Sequence, residues 1–386
     1  MVDPKQALTK FSAVAAATVH MRDLGAPPPA DRYGELATTL ALGGALEESN
    51  RDLFSLLAAE FSITSVEEVL ALAQLDQRDD LGLLRSVSLE SETVARLAEM
   101  YSSTPAGASE VSDWRRYDNF EYATGLELDL SSPPTDSASV DLLQMGAEFG
   151  APPPAVGSTN LIDAYMSGIR DQGNRGTCTA FAGIACLEYH VHRFQSRSGI
   201  DLSEQFAFWD MVEKTHRYNL QGMFATLRTS GSCSERTWPY YGNNVPGNDS
   251  QGPPPQQAPT EALGYRPSTV LQLSPRSVDQ IKDAISRFHP VAVGIPVYKS
   301  WFDSAVVRKY GNITVPLPNE TPEQIGHAIA LVGFEDNAQF AGGGYFVVRN
   351  SWDKHWATDS VFSAGYGTIP YRYIANYNWD AWYVAG

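Results

Sequence analysis

Gln172-Gly173-Asn174-Arg175-Gly176-Thr177-Cys178-Thr179-Ala180-Phe181-Ala182 is the stretch that decides the reading of this 386-residue chain. A short Gly-rich loop delivers a cysteine to the first turn of a helix rich in small residues. At a helix start the unpaired N–H groups and the macrodipole favour an anion, so the pattern predicts a lowered thiol pKa and an available thiolate. Far downstream come a lone His in an apolar strand pattern, Gly326-His327-Ala328-Ile329-Ala330, and an Asn in Arg349-Asn350-Ser351-Trp352. A loop-borne Cys, then His, then Asn is the order of a thiol-nucleophile hydrolase.

At these residues the chain resembles the papain-like cysteine peptidases. Five motifs of that family stand here in family order: Gln172 to Cys178, Ser203-Glu204-Gln205, Trp238-Pro239-Tyr240, Gly326-His327-Ala328 and Asn350-Ser351-Trp352. One such motif is weak; five in order are specific. The resemblance covers roughly residues 158–386 and implies an α+β fold of two lobes, one helical and one β, with the cleft between them. Two positions depart from the usual pattern. Arg175 stands where the family often has a disulfide-bonded Cys, and Thr179 stands where it usually has Trp. These versions look like bacterial branches of the family.

The resemblance and the chemistry assign the same roles. Cys178 is the expected nucleophile. His327, as imidazolium, stabilises the thiolate, protonates the leaving amine and later activates water. Asn350 accepts the ring N–H of His327 and orients it. A neutral amide suffices, because the Cys/His charge pair is already formed, whereas a Ser/His pair uses a carboxylate to stabilise a new cation. Gln172 offers its side-chain N–H₂, with the Cys178 backbone N–H, as an oxyanion hole. Trp352 shields the His–Asn hydrogen bond and counts with Gly222, Met223 and Phe224 as an expected substrate-binding residue. Glu204 and Gln205 read as scaffold, and Cys186 as structural. His190 and His192, two apart on a helix, make a poor metal pair. No metal or organic cofactor is implied, and G-x-S-x-G, H-E-x-x-H, C-x-x-C and phosphate-loop patterns are all missing from the sequence.

The net charge of −17 is unevenly spread: residues 1–157 hold 10 Lys/Arg against 25 Asp/Glu, whereas residues 158–386 hold 18 against 20. The acidic part repels nucleic acid and anionic lipid surfaces, and no apolar run reaches the length of a membrane span. The expected partner is a protein or peptide substrate, with docking of the acidic part to another protein left open. Three cysteines in the whole chain suit a reducing compartment, and a cytoplasmic location is expected. The Ala-rich Phe11 to Val19 stretch reads as an ordinary helix in preference to a signal core.

Three segments follow. Residues 1–102 carry helical periodicity over 5–22, 36–46, 51–61, 66–75 and 91–101 and read as a small acidic helical domain. Residues 103–157, with Ser131-Ser132-Pro133-Pro134 and Ala151-Pro152-Pro153-Pro154-Ala155, read as a Pro/Ser-rich connector or a prosegment. The usual prosegment helix of the family is not recognisable, but the connector has the reach to cross the cleft. Residues 158–386 form the peptidase-like domain. There, helices are expected from Thr177 to Arg193, Ser203 to Val212 and Ser277 to Arg287. Strands are expected from Val291 to Ile295, His327 to Phe334, Tyr345 to Arg349 and Trp382 to Ala385. The expected activity is that of a cysteine endopeptidase. The same triad could serve a transpeptidase, ligase or deamidase, and a catalytically silent peptide-binding module is the alternative of another class.

Overall fold

A computed structural model describes residues 124–127, 157–298, 305–316, 322–323, 325–337 and 340–386. The helices expected in residues 1–102, and most of the connector, lie outside the described residues.

The helical lobe is built on α1 (Cys178–Phe194). Nearly every residue of α1 is buried, including Ala180, Ala182, Gly183, Ile184 and Ala185. A helix apolar on all sides belongs in the middle of a protein. α1 packs against α2 (Glu204–Thr215) and α3 (Leu220–Ser230) on the helical side, and against sheet strands on the other. At Gly183 a Cβ would stand 2.8 Å from Met223 Cγ, so the small residue lets α3 approach. α2 starts at Ser203, whose Oγ accepts the Phe206 N–H at 3.0 Å, and it ends at His216 in the left-handed conformation. α3 starts at Asn219, whose Oδ1 accepts the Gly222 N–H at 2.8 Å, and stops at Gly231. Each such N-cap stabilises its helix by about 1 kcal/mol.

The β lobe holds β1 (Ser158–Asn160), which precedes α1, and, after α4 (Ala258–Ala262), β2 (Val270–Gln272), β3 (Val291–Ile295), β4 (His327–Asp336), β5 (Gly344–Arg349), β6 (Tyr366–Pro370) and β7 (Asp380–Val384). Their order is β2-β7-β3-β4-β5-β6, with β1 added to β4, and every pairing is antiparallel. β3, β5 and β6 are buried along their whole length, as strands covered on both faces must be. One cover is α5 (Val278–Ser286), which turns Ile281, Ala284 and Ile285 inward at three- and four-residue spacing. α6 (Ala305–Tyr310) and α7 (Tyr371–Tyr377) complete the lobe. The α+β, two-lobed architecture expected from the resemblance is the one observed. β6, α3 and α7 are elements that sequence periodicity did not single out.

Candidate active site

The nucleophile loop is pinned before α1 begins. Gly173 has φ +59°, and a Cβ there would lie 2.4 Å from the Gly242 carbonyl oxygen, so only glycine fits the turn. Asn174 N–H donates to the same carbonyl at 2.8 Å. Tyr240 OH donates to the Gln172 carbonyl at 2.9 Å and shares a 2.6 Å hydrogen bond with Thr177 Oγ1. Arg175 is buried beneath this loop. Its guanidinium donates to Gln205 Oε1 at 2.6 Å, Tyr241 O at 3.0 Å and Asp249 O at 2.9 Å, and sits over the rings of Tyr240 and Phe208. It ties the loop to α2 and to residues 241–249. All three cysteines are free and buried.

Two stability outcomes follow. Arg175→Ala leaves the buried Gln205 Oε1 without its donor, frees the partly buried carbonyls of Tyr241 and Asp249, and is expected to cost about 1–3 kcal/mol, read as a fall in Tm by thermal melting. A reductant should leave the wild-type Tm unchanged. A sharp fall on adding reductant would mean that a disulfide supports the lobe after all.

Behind the loop, Gln172 is fastened to the turn that carries Asn350. Its backbone N–H donates to Ser351 O at 2.9 Å, its Oε1 accepts Ser351 Oγ–H at 2.6 Å, and its Nε2 donates to Arg175 O at 2.8 Å. Ser351 is therefore a positioning residue for Gln172. The Asn-Ser-Trp motif contains it, but only the fold shows what its hydroxyl holds.

His327 is the first residue of β4 and is fully buried. Asn350 Oδ1 accepts two hydrogen bonds at 2.8 Å, one from Ser351 N–H and one from His327 Nε2. The Ser351 amide can only donate, so it identifies the Oδ1 end of the Asn350 amide. That end can only accept from the ring. Nε2 therefore carries the proton, and Nδ1 is the acceptor, which has no hydrogen-bond partner among the described residues. Trp352 stacks on the imidazole with centroids 4.6 Å apart and planes at 20°, covering the His–Asn pair.

Cys178 has no solvent exposure. The nearby backbone of Ala328, Thr179, Gly125 and Cys178 itself favours the thiolate. Burial outweighs them all and pushes the thiol up to about 11. Burial likewise lowers His327 to about 4, against the hydrogen bond to Asn350. This corrects the expectation of a lowered thiol pKa: the helix start is present, but the desolvation of a fully covered sulfur is the larger effect. In this state the pair is a neutral thiol and a neutral imidazole.

The cover includes residues from far upstream. Leu126, 2% exposed, forms an antiparallel bridge with Gly326, the residue before His327: its N–H donates to Gly326 O and its O accepts Gly326 N–H, both at 3.0 Å. Glu127 N–H donates to Tyr218 O at 2.9 Å on the helical side. Gly125 lies so close to the nucleophile loop that a Cβ on it would stand 2.2 Å from the Gly176 carbonyl. Nothing in the local sequence Ala123-Thr124-Gly125-Leu126-Glu127 announced this placement.

The remaining candidates lie elsewhere. Met223 packs on Gly183 of α1, and Gly222 faces Thr215 and Asn219. Phe224 is buried and stacks on Trp382 at 5.8 Å. Glu204 and Glu188 are buried with Arg170, which donates to Glu204 Oε2 at 3.1 Å and Glu188 Oε1 at 2.8 Å. Burial raises Glu204 to about 8 against the pull of Arg170. The structure thus places Cys178, His327, Asn350, Trp352 and Gln172 around the junction of α1, β4 and the 350–352 turn, while Met223 and Phe224 lie in the buried apolar cluster that also holds Cys178.

Comparison with known proteins agrees with this layout. Residues 159–370 match the sequence model of the papain family cysteine proteases. An uncharacterized peptidase C1-like protein of Acanthamoeba polyphaga mimivirus is 26% identical over 232 residues, covering 55% of this chain and 68% of its own. The thiol protease aleurain of Arabidopsis thaliana is 26% identical over 213 residues, covering 53% of this chain, and the match spans 54% of the relative's length. Among solved structures, xylellain, a cysteine protease from Xylella fastidiosa, superposes with a TM-score of 0.52 at 22% identity, over 68% of this chain and 94% of that one, which speaks to the fold. The two sequence relatives come from a virus and a plant, and they do not support the expectation of a bacterial branch. With more than half of its length matched, and with the loop, strand and turn of the motifs meeting at one junction, the chain belongs to the papain family of cysteine proteases.

Proposed function

We propose that this chain is a cysteine endopeptidase that cleaves peptide bonds in protein or peptide substrates. The observation that carries the reading is the state of His327: Nε2 is committed to Asn350 Oδ1, while Nδ1 has no hydrogen-bond partner among the described residues, and the next residue of the strand, Ala328, packs in one apolar cluster with Cys178. In the working enzyme the Cys178 proton passes to Nδ1, and the thiolate attacks the scissile carbonyl carbon. The oxyanion is received by Cys178 N–H and the Gln172 amide. The imidazolium returns its proton to the leaving amine, and the neutral ring then activates water to release the acyl group. Three unpaired thiols in this chain suit a reducing, cytoplasmic setting.

The test is product mass. A large excess of unstructured peptide is incubated for a long period with the full chain, with and without an added primary amine. Products whose masses sum to substrate plus one water, unchanged by the amine, are expected. Amine adducts would point to acyl transfer, and loss of ammonia alone to side-chain deamidation. An untouched peptide would favour a silent binding module.

A further inference from the structure

At its first turn α1 differs from α2, α3 and α5. Ser203, Asn219 and Ser277 cap those helices: each side-chain oxygen accepts the N–H three residues on, at 3.0, 2.8 and 3.3 Å. All three caps hold extended backbone, with ψ 113°, 164° and 97°. The N-cap of α1 is Thr177, a residue type suited to the same task. It stands instead at ψ 11°, and its side chain makes no capping hydrogen bond.

Tyr240 holds that hydroxyl. The Gln172 carbonyl oxygen can only accept, so the 2.9 Å hydrogen bond to it takes the single phenolic proton. Thr177 Oγ1 is then the donor in its 2.6 Å hydrogen bond with the phenol. Burial pushes the Tyr240 phenol up to about 12, so the proton stays on it at neutral pH. The ring is itself fixed. Phe181 of α1 meets it edge-on at 4.8 Å, the Arg175 guanidinium lies 5.0 Å from its centroid, and the Tyr240 backbone N–H donates to Glu235 Oε1 at 2.7 Å.

The consequence falls on the next two amides. The ψ of Thr177 sets the direction of the Cys178 N–H, the backbone donor assigned to the oxyanion. A capping hydroxyl takes the second or third N–H of its helix, here Thr179 or Ala180. Ala180 N–H already donates to Thr177 O at 2.9 Å, so the Thr179 N–H is the one at stake. The backbone of Cys178 and Thr179 favours the thiolate. We propose that Tyr240 is a positioning residue that withholds Thr177 from capping α1, so that the first-turn amides, with the partial positive charge of the helix start, face the sulfur and the oxyanion. The helix forgoes the stability of a cap, and the reacting groups gain its donors. This inference rests on the peptidase reading for its effect on turnover, whereas the place of the hydroxyl is read from structure alone.

The experiment compares full-length wild type, Tyr240→Phe and Tyr240→Phe/Thr177→Val. Both variants remove the phenol from the Gln172 carbonyl, so their difference isolates the Thr177 hydroxyl. A crystal structure of Tyr240→Phe should show Thr177 in extended backbone, with Oγ1 within about 3.2 Å of the Thr179 or Ala180 nitrogen. Its kcat on a peptide substrate should fall about tenfold or more, with KM within about threefold of wild type. The acid limb of its kcat/KM profile should move to higher pH, because a thiolate that loses an N–H forms less readily. Adding Thr177→Val, which matches the shape of Thr but cannot cap, should restore most of kcat and return the acid limb, with a Tm no higher than that of Tyr240→Phe. Iodoacetamide labelling of Cys178 at one alkaline pH, mapped by peptide mass, should be slower in Tyr240→Phe than in wild type or the double variant. A Thr177 hydroxyl that stays off the helix in Tyr240→Phe overturns the proposal. A double variant as slow as Tyr240→Phe also overturns it, because the phenol then acts through Gln172 alone. So does a double variant that melts higher while the acid limb never moves, which marks a merely structural hydrogen bond. If none of the three proteins hydrolyses any peptide, yet the hydroxyl caps α1 in Tyr240→Phe and labelling follows the expected order, the withheld cap stands and the peptidase reading falls.

Discussion

Cys178→Ala abolishes peptide hydrolysis, with kcat/KM expected to fall on the order of 10⁵-fold or more, because no other group at the junction can form the acyl intermediate. Cys186 and Cys233 cannot stand in. Both are buried, with thiols pushed up to about 12, and Cys186 lies eight residues further along α1. The substitution removes one sulfur from a site lined by Ala328 and Leu126, so it leaves a small cavity and no unpaired charge. The folded variant should keep a cooperative melt close to that of wild type while losing the iodoacetamide-sensitive activity. Hydrolysis by the purified variant above a few per cent of wild type would sink the assignment of the nucleophile.

His327→Ala and Asn350→Ala should separate two roles that share one hydrogen bond. Loss of His327 removes the base and the acid together, and turnover should fall on the order of 10⁴-fold or more. Loss of Asn350 keeps the proton carrier but frees its ring, and roughly 10- to 100-fold is expected. The structure adds a stability cost to the second variant. Asn350 Oδ1 is shared by His327 Nε2–H and Ser351 N–H, so Asn350→Ala leaves two buried donors unmet, at roughly 1–3 kcal/mol each. Activity must therefore be measured well below the Tm of each variant. If the folded Asn350 variant proved as inert as the His327 variant, Asn350 would be doing more than orienting the ring.

Much of this was legible along the chain because local physics writes it there. The run Gln172 to Ala182 specifies a Gly-turned loop and a helix of small residues, and the helix indeed starts at Cys178. Val291 to Ile295 and Ala328 to Phe334 are runs without a polar side chain, and both become buried strands. The residues expected to act at the site could be named because each chemical task admits few side chains, and these stood in order at fixed motifs.

What the tertiary structure alone decided has a common cause: it depends on groups distant in sequence that become close and dry. Helix-start electrostatics is local and argues for a thiolate, but the state of Cys178 follows from its complete desolvation, which needs β4 and Leu126 in place. Arg175 looked like a lost disulfide position, yet its three acceptors lie 30, 66 and 74 residues away. Met223 has the polarity of a cleft residue or a core residue, and only the approach of α3 to Gly183 places it in the core. The bridge between Leu126 and Gly326 joins backbone groups that any residues could supply, so no side-chain pattern encodes it. Sequence determined which residues could do the chemistry. Folding determined that they are assembled, neutral and covered.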